Sequence, residues 1–143
     1  IEGGKAEPWQ NEVIKKFEKI AEKSNIIILN PRREKWDNNV EERISNLEFL
    51  KQVTWEQGAI ELSDYILFYF SPGTYSPISL LEFGNVLPTK NNKNIFVICP
   101  DEFWKKGNVE FMCSKYNVRI FNSIDEFFDS LILEIKSLNL VEK

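Results

Sequence analysis

The sequence predicts an α/β domain built on a parallel, doubly wound sheet, and three observations carry that reading. Short apolar, β-branched runs alternate with stretches of helical period along the whole chain. The runs are continuously apolar, as strands covered on both faces are, and do not alternate as half-exposed strands would. Clusters of Ser, Asn, Pro, Gly and Asp separate the segments, with no internal repeat and no linker, so residues 1–143 read as one domain.

Pro8-Trp9 opens the first helix, in which Trp9, Val13, Phe17, Ile20 and Ala21 share a face. Proline is tolerated in that turn because no intrahelical partner is lost there. Ser24-Asn25 stops it. Ile26-Ile27-Ile28-Leu29 reads as a buried strand, followed by a polar loop from Asn30 to Asn39. A helical period returns from about Ile44 to Leu62, weakened locally by Gly58. Tyr65 to Phe70 is the next strand, ended by Ser71-Pro72-Gly73, and a short helix follows from Ile78 to Leu87, stopped by Pro88. Ile95 to Cys99 is a strand, Asn108 to Tyr116 a helix, and Val118 to Phe121 a last short strand. Ser123-Ile124-Asp125-Glu126 is a capping box, and the helix behind it is expected to bury Phe127, Phe128, Leu131, Ile135 and Leu138. This order of elements predicts a flavodoxin-like topology. Such an alternation normally opens with a strand, whereas Ile1-Glu2-Gly3-Gly4 reads as the loop after one. A first, central strand is therefore expected upstream of Ile1.

Composition narrows the functions open to the chain. Its 143 residues suffice to bury about two-thirds of the surface the unfolded form exposes. Apolar residues make up 43% and charged residues 28%, an ordinary globular balance. The net charge is −4 and no dense Lys/Arg run appears, which argues against a polymeric nucleic acid as partner. With no signal peptide and no membrane-length apolar run, the cytosol is the expected compartment. Cys99 and Cys113 lack metal-ligand spacing and read as reduced core residues, so neither metal nor cofactor is expected. The chain contains no histidine, which removes Ser-His and Cys-His nucleophiles and His-rich zinc sites. Acid, base and nucleophile must then come mainly from carboxylates, Tyr, Lys or Cys, and glycosidic chemistry is a class that runs on carboxylates alone.

Parallel sheets bind ligands at the carboxyl ends of their strands. Three segments meet that description: Ile1 to Lys5, which carries Gly3; the stretch after Phe70 through Glu82; and Pro100 to Asn108. Glu82 is the informative residue. It interrupts the apolar helix Ser79-Leu80-Leu81-Glu82-Phe83-Gly84, where a carboxylate is costly unless something pairs with it. A single solvated glutamate on an amphipathic helix would also fit, and Glu56 and Asp64 share that ambiguity when each is taken singly.

Taken together, Trp55-Glu56, Ser63-Asp64-Tyr65-Ile66-Leu67-Phe68 and Ser76-Pro77-Ile78-Ser79-Leu80-Leu81-Glu82-Phe83-Gly84 resemble the nucleoside 2-deoxyribosyltransferase superfamily. The spacings of 8 residues from Glu56 to Asp64 and 18 from Asp64 to Glu82 are similar to the family's. Leu29-Asn30-Pro31-Arg32-Arg33 with Trp36-Asp37 resembles a family loop, and Phe103 to Val109 resembles a segment in which an asparagine completes a neighbouring subunit's site. The resemblance implies that Glu82 attacks the anomeric carbon of a deoxynucleoside and holds the sugar as a covalent ester. It implies that Glu56 contacts the nucleobase and helps move its proton, and that Asp64 belongs with them as a third catalytic carboxylate. Gly3, Ser76 and Asn108 are then expected at the substrate, with Trp36, Phe70 and Tyr75 as stacking or packing aromatics. A free nucleobase is the second substrate, and a homo-oligomer with shared sites is the expected assembly. Two departures stand out. Ser76 occupies a position where transferases of the family often carry an acidic residue, and Glu56 replaces the more usual aspartate. Three functions are thereby open: a deoxyribosyltransferase, a hydrolase of deoxynucleoside 5′-monophosphates, and a nucleotide-binding module without turnover.

Overall fold

A computed structural model describes residues 7–20, 26–33, 37 and 39–141 of the chain. The backbone forms two compact units, 1–66 and 67–143, and each has its own logic.

In the first unit, helix α1 (Trp9–Ile20) buries Gln10 and Val13 and carries Glu12 in its first turn and Lys19 in its last, each sign matching the helix dipole there. Helix α2 (Leu47–Leu62) begins later than the hydrophobic period predicts. The Asn46 side chain accepts from Glu48 N at 3.0 Å and Phe49 N at 3.3 Å, so the cap sets the start and leaves Ile44 outside the helix. Ser63 closes the other end, its hydroxyl donating to Ala59 O at 2.6 Å. Gly58 is carried through without a break. The expected strand at Ile26–Leu29 is not formed. That run has no regular structure, and Ile27 is 87% exposed. A β-branched run stays extended only where a neighbour takes its N–H and C=O groups, and no such ladder forms at these residues.

The second unit holds a three-stranded parallel sheet in the order β1 (Ile66–Tyr69), β2 (Ile95–Ile98), β3 (Arg119–Phe121). Strand β2 pairs with β3 in the register Phe96↔Arg119, Val97↔Ile120, Ile98↔Phe121. Phe70 N donates to Ile98 O at 2.9 Å and Cys99 N to Phe121 O at 2.8 Å, which carries the pairing just past the strand ends. Central β2 is buried on both faces, as its unbroken apolar run requires. Helices α3 (Pro77–Val86), α4 (Lys106–Tyr116) and α5 (Ile124–Val141) complete an α/β unit of flavodoxin-like kind. Phe83 meets Phe68 and Phe70 edge to face on the α3 side, and beside α5 Phe127 meets Phe121 and Phe128 edge to face and Phe96 at a tilt.

Helix α4 starts two residues before its expected boundary and ends at Asn117, whose left-handed φ of 54° lets its N–H reach Cys113 O and Ser114 O. The capping box forms with a shift of one residue. Ser123 Oγ accepts from Glu126 N at 3.0 Å, but the Glu126 carboxylate reaches back to Asn122 N at 2.8 Å. Phe127 and Phe128 are buried as expected, whereas Leu138 is 65% exposed, because α5 outruns the strands it packs on.

Cys99 and Cys113 are free and buried in this core. Burial pushes the Cys99 thiol up to about 11, with Lys106 offsetting only part of the shift, and pushes Cys113 up to about 12. A raised thiol pKa means the fold holds the proton more tightly than the unfolded chain does. The stability this contributes is complete below the ordinary value of 9.0 and is lost as pH rises toward 11–12. The unfolding midpoint of the wild type is therefore expected to fall more steeply above pH 9 than that of a Cys99→Ala/Cys113→Ala variant, in a series of thermal melts.

Candidate functional site

Helix α3 places Glu82 in its second turn, half-buried and beside buried Phe83. The path into that helix is unusual. After β1 the chain turns at Gly73, whose φ of 75° suits glycine, and Thr74 folds back so that its hydroxyl donates to Ser71 O at 2.8 Å. Ser76 then adopts φ 49° and ψ 47°, a left-handed conformation that costs a non-glycine residue about a kcal/mol or more. Its buried hydroxyl lies 2.7 Å from that of Thr74, and it makes no side-chain cap to α3. Pro77 at the first helical position supplies the fixed φ that starts the helix instead.

The loop after β2 is tied to this corner. Trp104 Nε1 donates to the backbone carbonyl of Tyr75 at 3.1 Å, and the two rings meet edge to face with centroids 5.3 Å apart. Lys105 Nζ sits 4.7 Å from the indole centroid. Lys106 binds the carboxyl ends of β2 and β3 to α4, because its ammonium donates to Cys99 O at 2.8 Å and to Asn122 Oδ1, and pairs with Asp101 at 2.8 Å. Burial works against that charge, but the hydrogen bond to Asp101 and its opposite charge outweigh it and hold the ammonium above its ordinary range. Asn108 lies exposed in the first turn of α4.

Phe70 is fully buried, stacked beside Phe68 and touched by Phe83 and Phe103, with ring centroids 5.5 and 5.2 Å away. No ring face is left for a nucleobase, so of the two roles open to it, packing is the one its surroundings meet. Tyr75 is exposed and its ring contacts Trp104.

In the first unit, Glu56 sits half-buried on α2 one turn after Gln52. Gln52 Nε2 donates to Glu56 Oε1, while Gln52 Oε1 accepts from Arg33 Nε at 2.7 Å and from Arg33 Nη2. Asp64 is exposed between α2 and β1, at the amino end of that strand, whereas Ser76 and Glu82 follow its carboxyl end. Gly3 and Trp36 lie outside the described residues. Among the described residues no helix is long and apolar enough to cross a membrane.

A family model described as "nucleoside 2-deoxyribosyltransferase like" matches residues 1–103. The chain belongs to that family. The match to the nucleoside 2-deoxyribosyltransferase-like family takes in Glu56, Asp64, Ser76 and Glu82 and stops five residues short of Asn108. A search among curated proteins finds no match. Two contacts, one within each unit, escape a reading of the sequence by motif. The Gln52–Glu56 contact has a faint signal, the i,i+4 spacing on one helix face, but its link to Arg33 has none. The tie from Trp104 ends on a backbone carbonyl, which any residue at position 75 would supply.

Proposed function

We propose that this protein transfers 2-deoxyribose between nucleobases, with Glu82 as nucleophile. Membership of the nucleoside 2-deoxyribosyltransferase-like family carries the reading, because the match spans both the Glu56 and the Glu82 motifs. The setting of Glu82 adds support. It is a half-buried carboxylate on an apolar helix, entered through a strained corner at the carboxyl end of a parallel strand, where such sheets bind ligands.

In the first step a Glu82 carboxylate oxygen bonds to C1′ of the donor as the C1′–N bond breaks. The bond's electron pair goes to the departing base, which takes a proton from Glu56. In the second step a nitrogen of the incoming base attacks C1′, the ester bond returns its electrons to Glu82, and the proton lost by that base returns to Glu56. Two inversions leave the configuration retained. Asn108, exposed on its own chain, serves the site of a neighbouring copy, so the active unit is a homo-oligomer, at least a dimer. Asp64, exposed at the junction of α2 and β1, is the third carboxylate of the proposed set.

One observation favours a second reading, hydrolysis of deoxynucleoside 5′-monophosphates. Ser76, neutral and buried, stands at the amino end of α3 where a carboxylate would repel phosphate, and the helix dipole there suits an anion. One assay separates the possibilities: each of the four common deoxynucleosides, and its 5′-monophosphate, is incubated with a second free base and the products are resolved by chromatography. A new deoxynucleoside is expected. Free sugar alone would favour the hydrolase, and no product from any donor would overturn both in favour of a binding role.

A further inference from the structure

We infer that Gln52 and Arg33 are positioning residues that hold Glu56 in one hydrogen-bonding sense and so assign its proton to Oε2. The inference rests on the glycosyl-transfer reading, in which Glu56 delivers a proton to the departing base. The three side chains form a chain of contacts from the Asn30–Arg33 loop to α2. Arginine has donors only, and its fork meets Gln52 through both Nε and Nη2. The group of Gln52 that faces it must therefore be the amide oxygen. That choice turns the amide nitrogen, a donor, toward Glu56.

Direction then passes along the chain. Glu56 Oε1 accepts from that N–H, and because a carboxyl O–H oxygen is a poorer acceptor than the carbonyl oxygen, the bond disfavours the proton at Oε1. The carboxyl can still be protonated, at Oε2. In the first step the proton leaves Oε2 for a nitrogen of the base as the C1′–N electron pair moves onto it, and Oε2 takes the incoming base's proton in the second step. The Arg33 charge also polarises the amide, which strengthens the bond to Oε1 and pins the rotation of the carboxyl group. Glu56 is one methylene longer than the aspartate often found in the family, and a longer side chain has one more rotatable bond to fix. A brace from a residue one turn away on the same helix fixes it.

The test uses two readouts on the full chain. In amide-resolved NMR, one Nε2 proton of Gln52 is expected downfield and slow to exchange, and both Arg33→Leu and Glu56→Leu should return it to the position of a solvated amide. In the base-exchange assay, with the best of the four deoxynucleosides as donor, Gln52→Leu is expected to lower kcat by about tenfold or more with KM within twofold. Gln52→Glu, which accepts from Arg33 but has nothing to donate to Glu56, should do the same with an unchanged melting temperature. A solvated-like Gln52 amide in the wild type, or a Gln52→Leu enzyme with kcat within twofold, would overturn the inference. The broader reading fails by a different result: turnover that survives Glu82→Gln. If Glu82→Gln is inactive while Gln52→Leu is unaffected, only the brace is lost.

Discussion

Replacing Glu82 by alanine is expected to lower base exchange by at least about a thousandfold, because the proposed covalent route disappears with its nucleophile. The protein should remain folded. Alanine is the strongest helix former, and Glu82 is half-buried on α3, so the substitution leaves no deep cavity. Near-normal turnover in a folded Glu82→Ala protein would remove the nucleophile and, with it, the double displacement. In the wild type, rapid quenching with donor alone should trap one deoxyribosyl group on the peptide that contains Glu82, read by mass spectrometry. The same variant tests the shared site. Mixed with an equal amount of inactive Asn108→Ala protein, it should recover about a quarter of wild-type activity, since random pairing makes half the dimers mixed and each of those holds one intact site of two. No recovery on mixing, under conditions where subunits exchange, would confine Asn108 to its own chain.

Phe70→Ala should be the most destabilising substitution of the site region, by about 3–5 kcal/mol. The ring is 0% exposed and borders Phe68, Phe83 and Phe103, so its removal opens a cavity that three rigid rings cannot close without leaving their own contacts. Against a typical total stability of about 5–15 kcal/mol this is a large share, and the unfolding midpoint should fall by roughly 10–20 °C. Phe70→Leu keeps most of the volume and should cost far less. The pair also separates packing from binding. If Phe70 only packs, the Leu variant will keep its KM for a deoxynucleoside within about twofold, whereas a lost stacking platform would raise KM several-fold. The measurements are a melting curve and a Michaelis–Menten series on the same preparations.

The elements that sequence reasoning located well are those whose signal is local. Ser123 and Glu126 announce the start of α5 through a cap, and the apolar run of β2 announces a strand buried on both sides. Glu82 stands out in the sequence as a charge among leucines, and the structure places it half-buried on α3. The errors have a common origin in what lies far along the chain. Ile26–Leu29 has the composition of a buried strand, but a strand exists only with a partner, and composition does not supply one. Leu138 keeps the helical period of α5, yet burial depends on where the sheet beneath it stops. The start of α2 moved because Asn46, a cap, overrides the hydrophobic period that reaches back to Ile44. Arg33 and Gln52 lie 19 residues apart, a separation at which only the folded chain can pair them. Phe70 and Tyr75 were equal candidates by residue type, and burial alone divided them.

The hydrogen bond from the Trp104 indole ends on the main chain of residue 75, not on its side chain. Architecture and chemistry are therefore separable at that position. Whatever side chain stands there, the carbonyl remains, and the loop that introduces α3 stays attached to the loop that introduces α4. Exchanging Tyr75 for a smaller, larger or charged residue leaves that carbonyl in place, although it gives up the edge-to-face ring contact, worth about 0.5–1.5 kcal/mol. A lineage of this protein could thus vary the side chain exposed at this corner without renegotiating the frame behind it. Position 104 has no such freedom, because the donor there belongs to the indole itself.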